Sequence, residues 1–174
     1  MTRKRILIVE DDAIIGWHME RSLNDLGYRI VGVLDNGEEA IRFCSADPPD
    51  LILMDIGLKG EMDGVDTAWL LRHQLNIPVI YLTAYTDLAT LERAKHSEPF
   101  GYLRKPFDNQ ALRATIEMAL HKHGLEEALK ESELRYRLMF TTMQEGFALH
   151  EILLDETGDP IDYRFIDVNP MFEQ

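Results

Sequence analysis

The chain has 174 residues, longer than one common domain and short for two, so one complete domain followed by part of another is expected. Its 31 acidic against 18 basic residues give a net charge of −13, which lacks the basic footprint of a nucleic-acid reader, so no direct nucleic-acid contact is expected. A lone cysteine, Cys44, excludes an internal disulfide and fits a reducing cytoplasm, the expected localisation; no stretch approaches the roughly 20 apolar residues of a membrane span, and none after Arg3-Lys4-Arg5 resembles a signal peptide.

From residue 3 to about 123 strand and helix patterns alternate. Arg5–Val9 reads as strand one, and Ala13–Leu26 puts Ile14, Ile15, Met19, Leu23 and Leu26 on one helical face closed by Gly27. Tyr28–Leu34 is strand two. Asn36-Gly37-Glu38-Glu39 opens a helix that Asp47-Pro48-Pro49 ends near Ala46, with Cys44 a small packed side chain on it. Leu51–Asp55, bounded by Asp50 and Gly57, is an apolar run suited to a strand covered on both faces. A third helix over about 65–75, strand four over Ile77–Leu82, a fourth helix over roughly 87–96, strand five over Gly101–Arg104 and a helix capped by Asp108 complete the pattern. Five strands alternating with five helices define an α/β fold, a doubly wound parallel sheet.

Right-handed crossovers bring all five strand ends to one edge, where open α/β sheets bind ligands. Glu10-Asp11-Asp12 follow strand one, Asp55 ends strand three, Thr83 follows strand four, and Lys105-Pro106 follow strand five. Each has a plain structural role when taken singly. Glu10 or Asp11 could cap the first helix, Asp55 and Thr83 could serve turns, Tyr102 could be half-buried packing, and Lys105 could be a solvated charge. Gathered on one edge, the carboxylates repel strongly unless a divalent cation stabilises them, and hard oxygen ligands with positions open to water suit Mg²⁺. A lysine and a threonine hydroxyl on the same rim are donors for a phosphoryl group, so the set suits phosphoryl transfer to a carboxylate.

Four motifs carry a resemblance to the receiver domains of two-component response regulators over residues 3 to about 122. They are Ile6-Leu7-Ile8-Val9-Glu10-Asp11-Asp12, Leu53-Met54-Asp55 followed by Met62-Asp63-Gly64, Leu82-Thr83-Ala84, and Tyr102-Leu103-Arg104-Lys105-Pro106-Phe107. The resemblance implies a flavodoxin-like sheet of order 2-1-3-4-5. It also implies a phosphorelay switch served by a sensor histidine kinase, with no enzymatic activity beyond self-catalysed phosphotransfer and autodephosphorylation. Asp55 would accept the phosphoryl group from a phosphohistidine. Asp11, Asp55 and the Gly57 carbonyl would bind Mg²⁺, Glu10 would complete the acidic pair, through water, and Asp12 would stand outside it. Lys105 would contact the phosphoryl oxygens, its bond to Pro106 would be cis, and Thr83 and Tyr102 would be the switch positions. The loop over 56–63 is one residue longer than the family's common form, with Lys59 where a proline is usual. Gly57 and Tyr85 stand where the family tunes dephosphorylation, and because Gly57 offers no side chain to orient a water, the phosphorylated state is expected to persist.

Ala111–Lys122 reads as the receiver's last helix, with Leu112, Ile116, Ala119 and Leu120 inward and Gly124 interrupting it. Leu125, Leu129, Ser132, Tyr136, Met139 and Met143 then recur at spacings of four and three, as on a helical seam. A homodimer through the helix over 110–143 and packing on its own domain both fit. Residues 136–174 resemble the beginning of a PAS sensory domain, with strands over Phe147–Leu154 and Tyr163–Val168 and a helix opening at Asn169. An isolated hairpin is marginal in water, so residues 145–174 are expected to be disordered or ordered only against a partner, in a chain that belongs to a longer protein. The expected organisation is a receiver over 1–123, a linker helix over 124–143 and a PAS-like fragment over 144–174. None of His18, His73, His96, His121 or His123 lies in a kinase phosphoacceptor motif, and His150 reads as a strand surface residue.

Two other functional classes fit parts of the pattern. An interaction module little dependent on phosphorylation would use the helical seam. An enzyme on the same fold fits worse, because a flavodoxin needs a phosphate-cradling loop after strand one, where Glu10-Asp11-Asp12 is the electrostatic opposite. A phosphatase with an aspartyl intermediate would carry its nucleophile there, with a second Asp two residues on.

Overall fold

Period-two alternation in the central strands decides how the layers form. The computed structural model describes residues 3–58, 60–84, 92–94 and 97–172. Strands β1 (Arg5–Val9), β2 (Arg29–Leu34), β3 (Leu51–Asp55), β4 (Val79–Thr83) and β5 (Gly101–Arg104) form a parallel sheet in the order β2-β1-β3-β4-β5, as expected. Helices are α1 (Ala13–Asp25), α2 (Gly37–Ala46), α3 (Gly64–Leu75) and α4 (Asn109–Thr142). The helix expected over 87–96 lies mostly outside the described residues; 92–94 are helical.

Leu7, Val9, Ile52, Met54, Val79 and Tyr81 pack on α2 and α3 through Ala40, Cys44, Val65, Ala68 and Leu71. The alternate residues Ile6, Ile8, Leu51, Leu53, Ile80 and Leu82 pack on α1 and the first turns of α4, against Met19, Leu23, Leu112 and Ile116. Both faces of β1, β3 and β4 are therefore dry, and their ends are fixed by packing on either side. Burial pushes the Cys44 thiol up to about 12, in keeping with a packed, unreactive side chain.

Two helix readings are corrected. Ile14 does not face the core: it is 70% exposed, and the inward stripe of α1 is Gly16, Met19 and Leu23. Gly16 has no hydropathy signal, yet a Cβ there would lie 2.9 Å from Val33 Cγ1, so its smallness seats α1 on β2. Gly124 does not interrupt the last helix either, since α4 runs through it from Asn109 to Thr142. A glycine in a helix interior costs only about 0.5–1 kcal/mol relative to alanine, and good helix formers on both sides of it outweigh that.

The chain divides into two compact units, residues 1–124 and 125–174. In the second, β6 (Ala148–Leu154) and β7 (Pro160–Val168) form an antiparallel hairpin at the two strands expected there, with β7 beginning three residues earlier than expected, at Pro160. Its two ends are tied. Asp155 accepts from the Thr157 and Asp159 N–H groups at 2.9 Å each across the turn. At the open end the buried Asn169 accepts from Phe147 N–H at 2.8 Å and Phe172 N–H at 3.0 Å, and donates to the Glu145 carbonyl at 2.9 Å. Residues 170–172 form a turn in which the Phe172 N–H donates to the Asn169 carbonyl at 3.0 Å. His150 lies exposed on this hairpin.

The first turn of α3 sits directly on the end of β3. A Cβ added to Gly64 would collide with the Asp55 carbonyl, and the Gly64 N–H donates to the Ile56 carbonyl at 3.4 Å. Gly64→Ala is therefore expected to destabilise the fold by about 1–3 kcal/mol, read from the urea midpoint; an unchanged midpoint would show that this contact relaxes freely.

Candidate functional site

The backbone pairing of β1 continues one residue past the strand, where Glu10 N–H donates to the Leu34 carbonyl at 2.8 Å. Its side chain is thereby held beneath the sheet edge, and the residue is only 2% exposed. Asp12 serves α1 instead: its Oδ1 accepts from Ile14 N–H at 2.9 Å and Ile15 N–H at 3.1 Å, so the helix cap is Asp12 and neither Glu10 nor Asp11. Asp11, between them, is half-buried. Asp55 ends β3 beside Leu82 of β4, which places Thr83 one residue further along the neighbouring strand. Lys105 follows β5, its N–H donates to the Thr83 carbonyl at 2.8 Å, and its peptide bond to Pro106 is cis.

These side chains converge. Lys105 Nζ donates to Glu10 Oε2 at 2.5 Å and to Asp55 Oδ2 at 2.9 Å, and the Lys105 and Asp55 side chains are each only 15% exposed. The other oxygen, Asp55 Oδ1, accepts from Gly57 N–H at 3.1 Å. One oxygen from each of Glu10, Asp11 and Asp55 lies within 4.8 Å of the others. Tyr102 is not in this cluster. It pairs with Tyr81 across β4 and β5, its ring centroid 5.7 Å from that of Tyr81, and it is 38% exposed. Tyr85 and Lys59 lie outside the described residues.

Burial raises the Glu10 carboxyl above its usual range; the hydrogen bond from Lys105 works against this and the charge of Asp55 adds to it. For Lys105 burial acts downward, but its bonds to Glu10 and Asp55 outweigh that and raise it, so the ammonium persists at neutral pH. Three carboxylates around one ammonium leave the cluster formally negative. The donor set is all hard oxygen and half-open to solvent, which fits a magnesium-sized cation and fits no soft metal. Beside Lys105 lies a cleft of about 590 Å³ lined mainly by apolar groups, among them Ile15, Met19, Ala84, Pro106 and Phe107.

Sequence reasoning missed Glu38, on the first turn of α2. Its Oε1 accepts from Met62 N–H, 24 residues away in the β3–α3 loop, at 3.1 Å. No local motif could have revealed a contact across that separation.

A parallel sheet of this order, with an acidic triad and a lysine at its carboxyl edge, is the architecture of a phosphoacceptor regulatory domain, not of a conventional enzyme. The chain belongs to the response regulator receiver domain family of two-component signalling, whose model matches residues 6–117. Transcriptional regulatory protein PdtaR of Mycobacterium tuberculosis is 34% identical over 119 residues, covering 68% of this chain and 58% of that protein. The chain thus spans little more than half the length of that curated relative. The signal receiver domain of a modulated diguanylate cyclase from Desulfovibrio desulfuricans G20 superposes with a TM-score of 0.70 at 45% identity, covering 72% of this chain and 99% of that one. The N-terminal domain of a response regulator/sensory box/GGDEF 3-domain protein from Carboxydothermus hydrogenoformans does so with a TM-score of 0.66 at 38% identity, covering 71% of this chain and 98% of that one. Receiver domains as a class partner histidine kinases. Among the described residues no helix is long and apolar enough to cross a membrane.

Because Lys105 offsets a buried carboxylate, Lys105→Met is expected to lower stability by about 1–3 kcal/mol in magnesium-free buffer. Combining it with Glu10→Gln recovers part of the loss, and a non-additive double-mutant cycle in urea is the readout. The raised ammonium contributes stability that is full below the ordinary lysine range and is lost as pH climbs through its raised value. The variant should therefore close its stability gap to wild type at strongly alkaline pH.

Proposed function

We propose that this chain is a phosphorylation-controlled switch in which Asp55 accepts a phosphoryl group from a phosphohistidine of a sensor kinase. The observation that carries the reading is the Lys105 ammonium held against Glu10 and Asp55 beside a third carboxylate, at the carboxyl edge of the sheet. An Asp55 oxygen attacks phosphorus, the phosphorus–nitrogen bond breaks with its electron pair staying on the imidazole, and an acyl phosphate remains. Lys105 then turns from Asp55 to the phosphoryl oxygens, whose charge it partly neutralises. Asp11, Asp55 and the Gly57 carbonyl would hold Mg²⁺, with Glu10 acting through water. The bound cation supplies further neutralisation of the transferring group. Thr83 and Tyr102 answer phosphorylation as switch positions. The apolar cleft beside Lys105 suits docking of the kinase next to the acceptor.

The remaining residues form the output side of this reading, in a cytoplasmic protein divided into a receiver over 1–123, a linker helix over 124–143 and a PAS-like fragment over 144–174. The Carboxydothermus protein joins a response regulator to a sensory box, which supports such an arrangement. Exposed seam residues Leu125, Leu129, Tyr136, Met139 and Met143 favour self-association through the helix. Sedimentation of the full chain should then show a dimer that Leu129→Glu dissociates, whereas a monomeric wild type would remove this part of the proposal.

The acceptor role is tested by incubating the chain with Mg²⁺ and phosphoramidate and measuring intact mass. Wild type should gain one phosphoryl group, Asp55→Asn none, and chelation of Mg²⁺ should prevent the gain; incorporation in both proteins overturns the assignment. In the same assay, the bare Gly57 should leave the acyl phosphate with a half-life of minutes or longer, and decay within seconds would contradict that.

A further inference from the structure

The loop that leaves Asp55 carries the residue assigned to the cation through its carbonyl, yet it contains two glycines, Gly57 and Gly60, and no regular secondary structure over 56–63 among its described residues. Such a stretch loses much backbone entropy when ordered, so its geometry depends on what ties it down. Its base is closed by Gly57 N–H to Asp55 Oδ1 at 3.1 Å and by Gly64 N–H to the Ile56 carbonyl at 3.4 Å. Its far end is tied from a different element. Glu38 Oε1 accepts from Met62 N–H at 3.1 Å, in a half-buried setting. A Cβ added to Gly60 would come within 3.7 Å of Glu38 Oε2, so the same carboxylate lies along the loop rather than touching it at one atom.

Glu38 is itself fixed. Asn36 caps α2 by accepting from Glu39 N–H at 2.8 Å, which sets the first turn. Gly37 lies against the Thr67 side chain of α3 so closely that a Cβ would collide with it, and Thr67 is fully buried with its hydroxyl donating to the Asp63 carbonyl at 2.8 Å. The start of α2 is thus anchored to the start of α3, and the carboxylate it projects spans the loop between β3 and α3.

We propose that Glu38 is a positioning residue for the acceptor site: by holding the Met62 amide it keeps the β3–α3 loop in the conformation that binds the divalent cation. It touches no reacting atom. The inference rests on the acceptor-site reading above, and its effect is carried by hydrogen-bond acceptance and not by charge, which separates it from a long-range attraction between an acidic side chain and a cation.

The test uses the full chain with Glu38→Ala, Glu38→Gln and Glu39→Ala. Glu39→Ala removes an equal charge from the same helix turn and leaves the loop tie intact. In metal-free protein, amide hydrogen exchange at Met62 and its loop neighbours should speed up in Glu38→Ala alone. Mg²⁺ affinity, read by thermal shift across a magnesium titration, should weaken about tenfold in Glu38→Ala, as expected for a residue that supports a ligand from behind. Glu38→Gln keeps an acceptor oxygen and should recover most of both losses. Glu38→Gln as defective as Glu38→Ala, or Glu39→Ala equally defective, would assign the effect to charge and overturn the proposal, as would unaltered exchange in Glu38→Ala. Exchange in metal-free protein does not depend on phosphorylation, so failure of Asp55 to accept a phosphoryl group would sink the acceptor reading while leaving the loop tie measured on its own terms.

Discussion

The Lys105 ammonium, lodged between a buried glutamate and the aspartate that ends the central strand, is the interaction on which the rest of this structure turns. A carboxylate as enclosed as Glu10 is expensive unless something of opposite sign meets it. Lys105 comes from the far edge of the sheet, 95 residues along the chain, and its backbone is paired to β4 immediately before the side chain turns inward. The arrangement therefore requires β1, β3, β4 and β5 to be in register at once. A cluster held this way is poised: the lysine satisfies part of the negative charge and leaves a remainder that suits a divalent cation.

The layers explain why such a cluster can be rigid. The three central strands are buried on both faces and have no freedom to slide, because a one-residue slip would exchange their two sets of core side chains. Function is confined to the ends of strands whose middles are fixed, with loops free to vary above them. The tripeptide after β1 shows the division of labour: Glu10 meets the lysine, Asp11 joins the carboxylate group, and Asp12 caps the helix.

Much of this was legible in the sequence, and the reasons are specific. Strand positions followed from short apolar runs bounded by Asp, Gly and Pro, because a doubly covered strand leaves that signature whatever surrounds it. The carboxylates and Lys105 could be assembled on one edge because parallel connectivity forces strand ends together. Legibility failed where the deciding contact was distant or silent. Gly16 has no side chain to register in a hydropathy pattern, so Ile14 was assigned inward in its place. Gly124 looked like a break because propensity is local, whereas the helix continues on the strength of its flanks. The two strands of the hairpin at 148–168 were legible, but its closure by Asn169 was not, because those hydrogen bonds join residues more than twenty positions apart. Glu38 was invisible for the same reason.

The contact between Gly64 and the Asp55 carbonyl has an evolutionary corollary. Where a helix rests on the main chain of a strand-end carboxylate, any enlargement at the seat pushes against the backbone that holds that carboxylate. Such a loop can be lengthened or its outer surface altered for new partners, but enlargement at the seat is closed to it. Diversity among receiver domains built this way should accordingly accumulate at the loop's crest and be absent from its hinge.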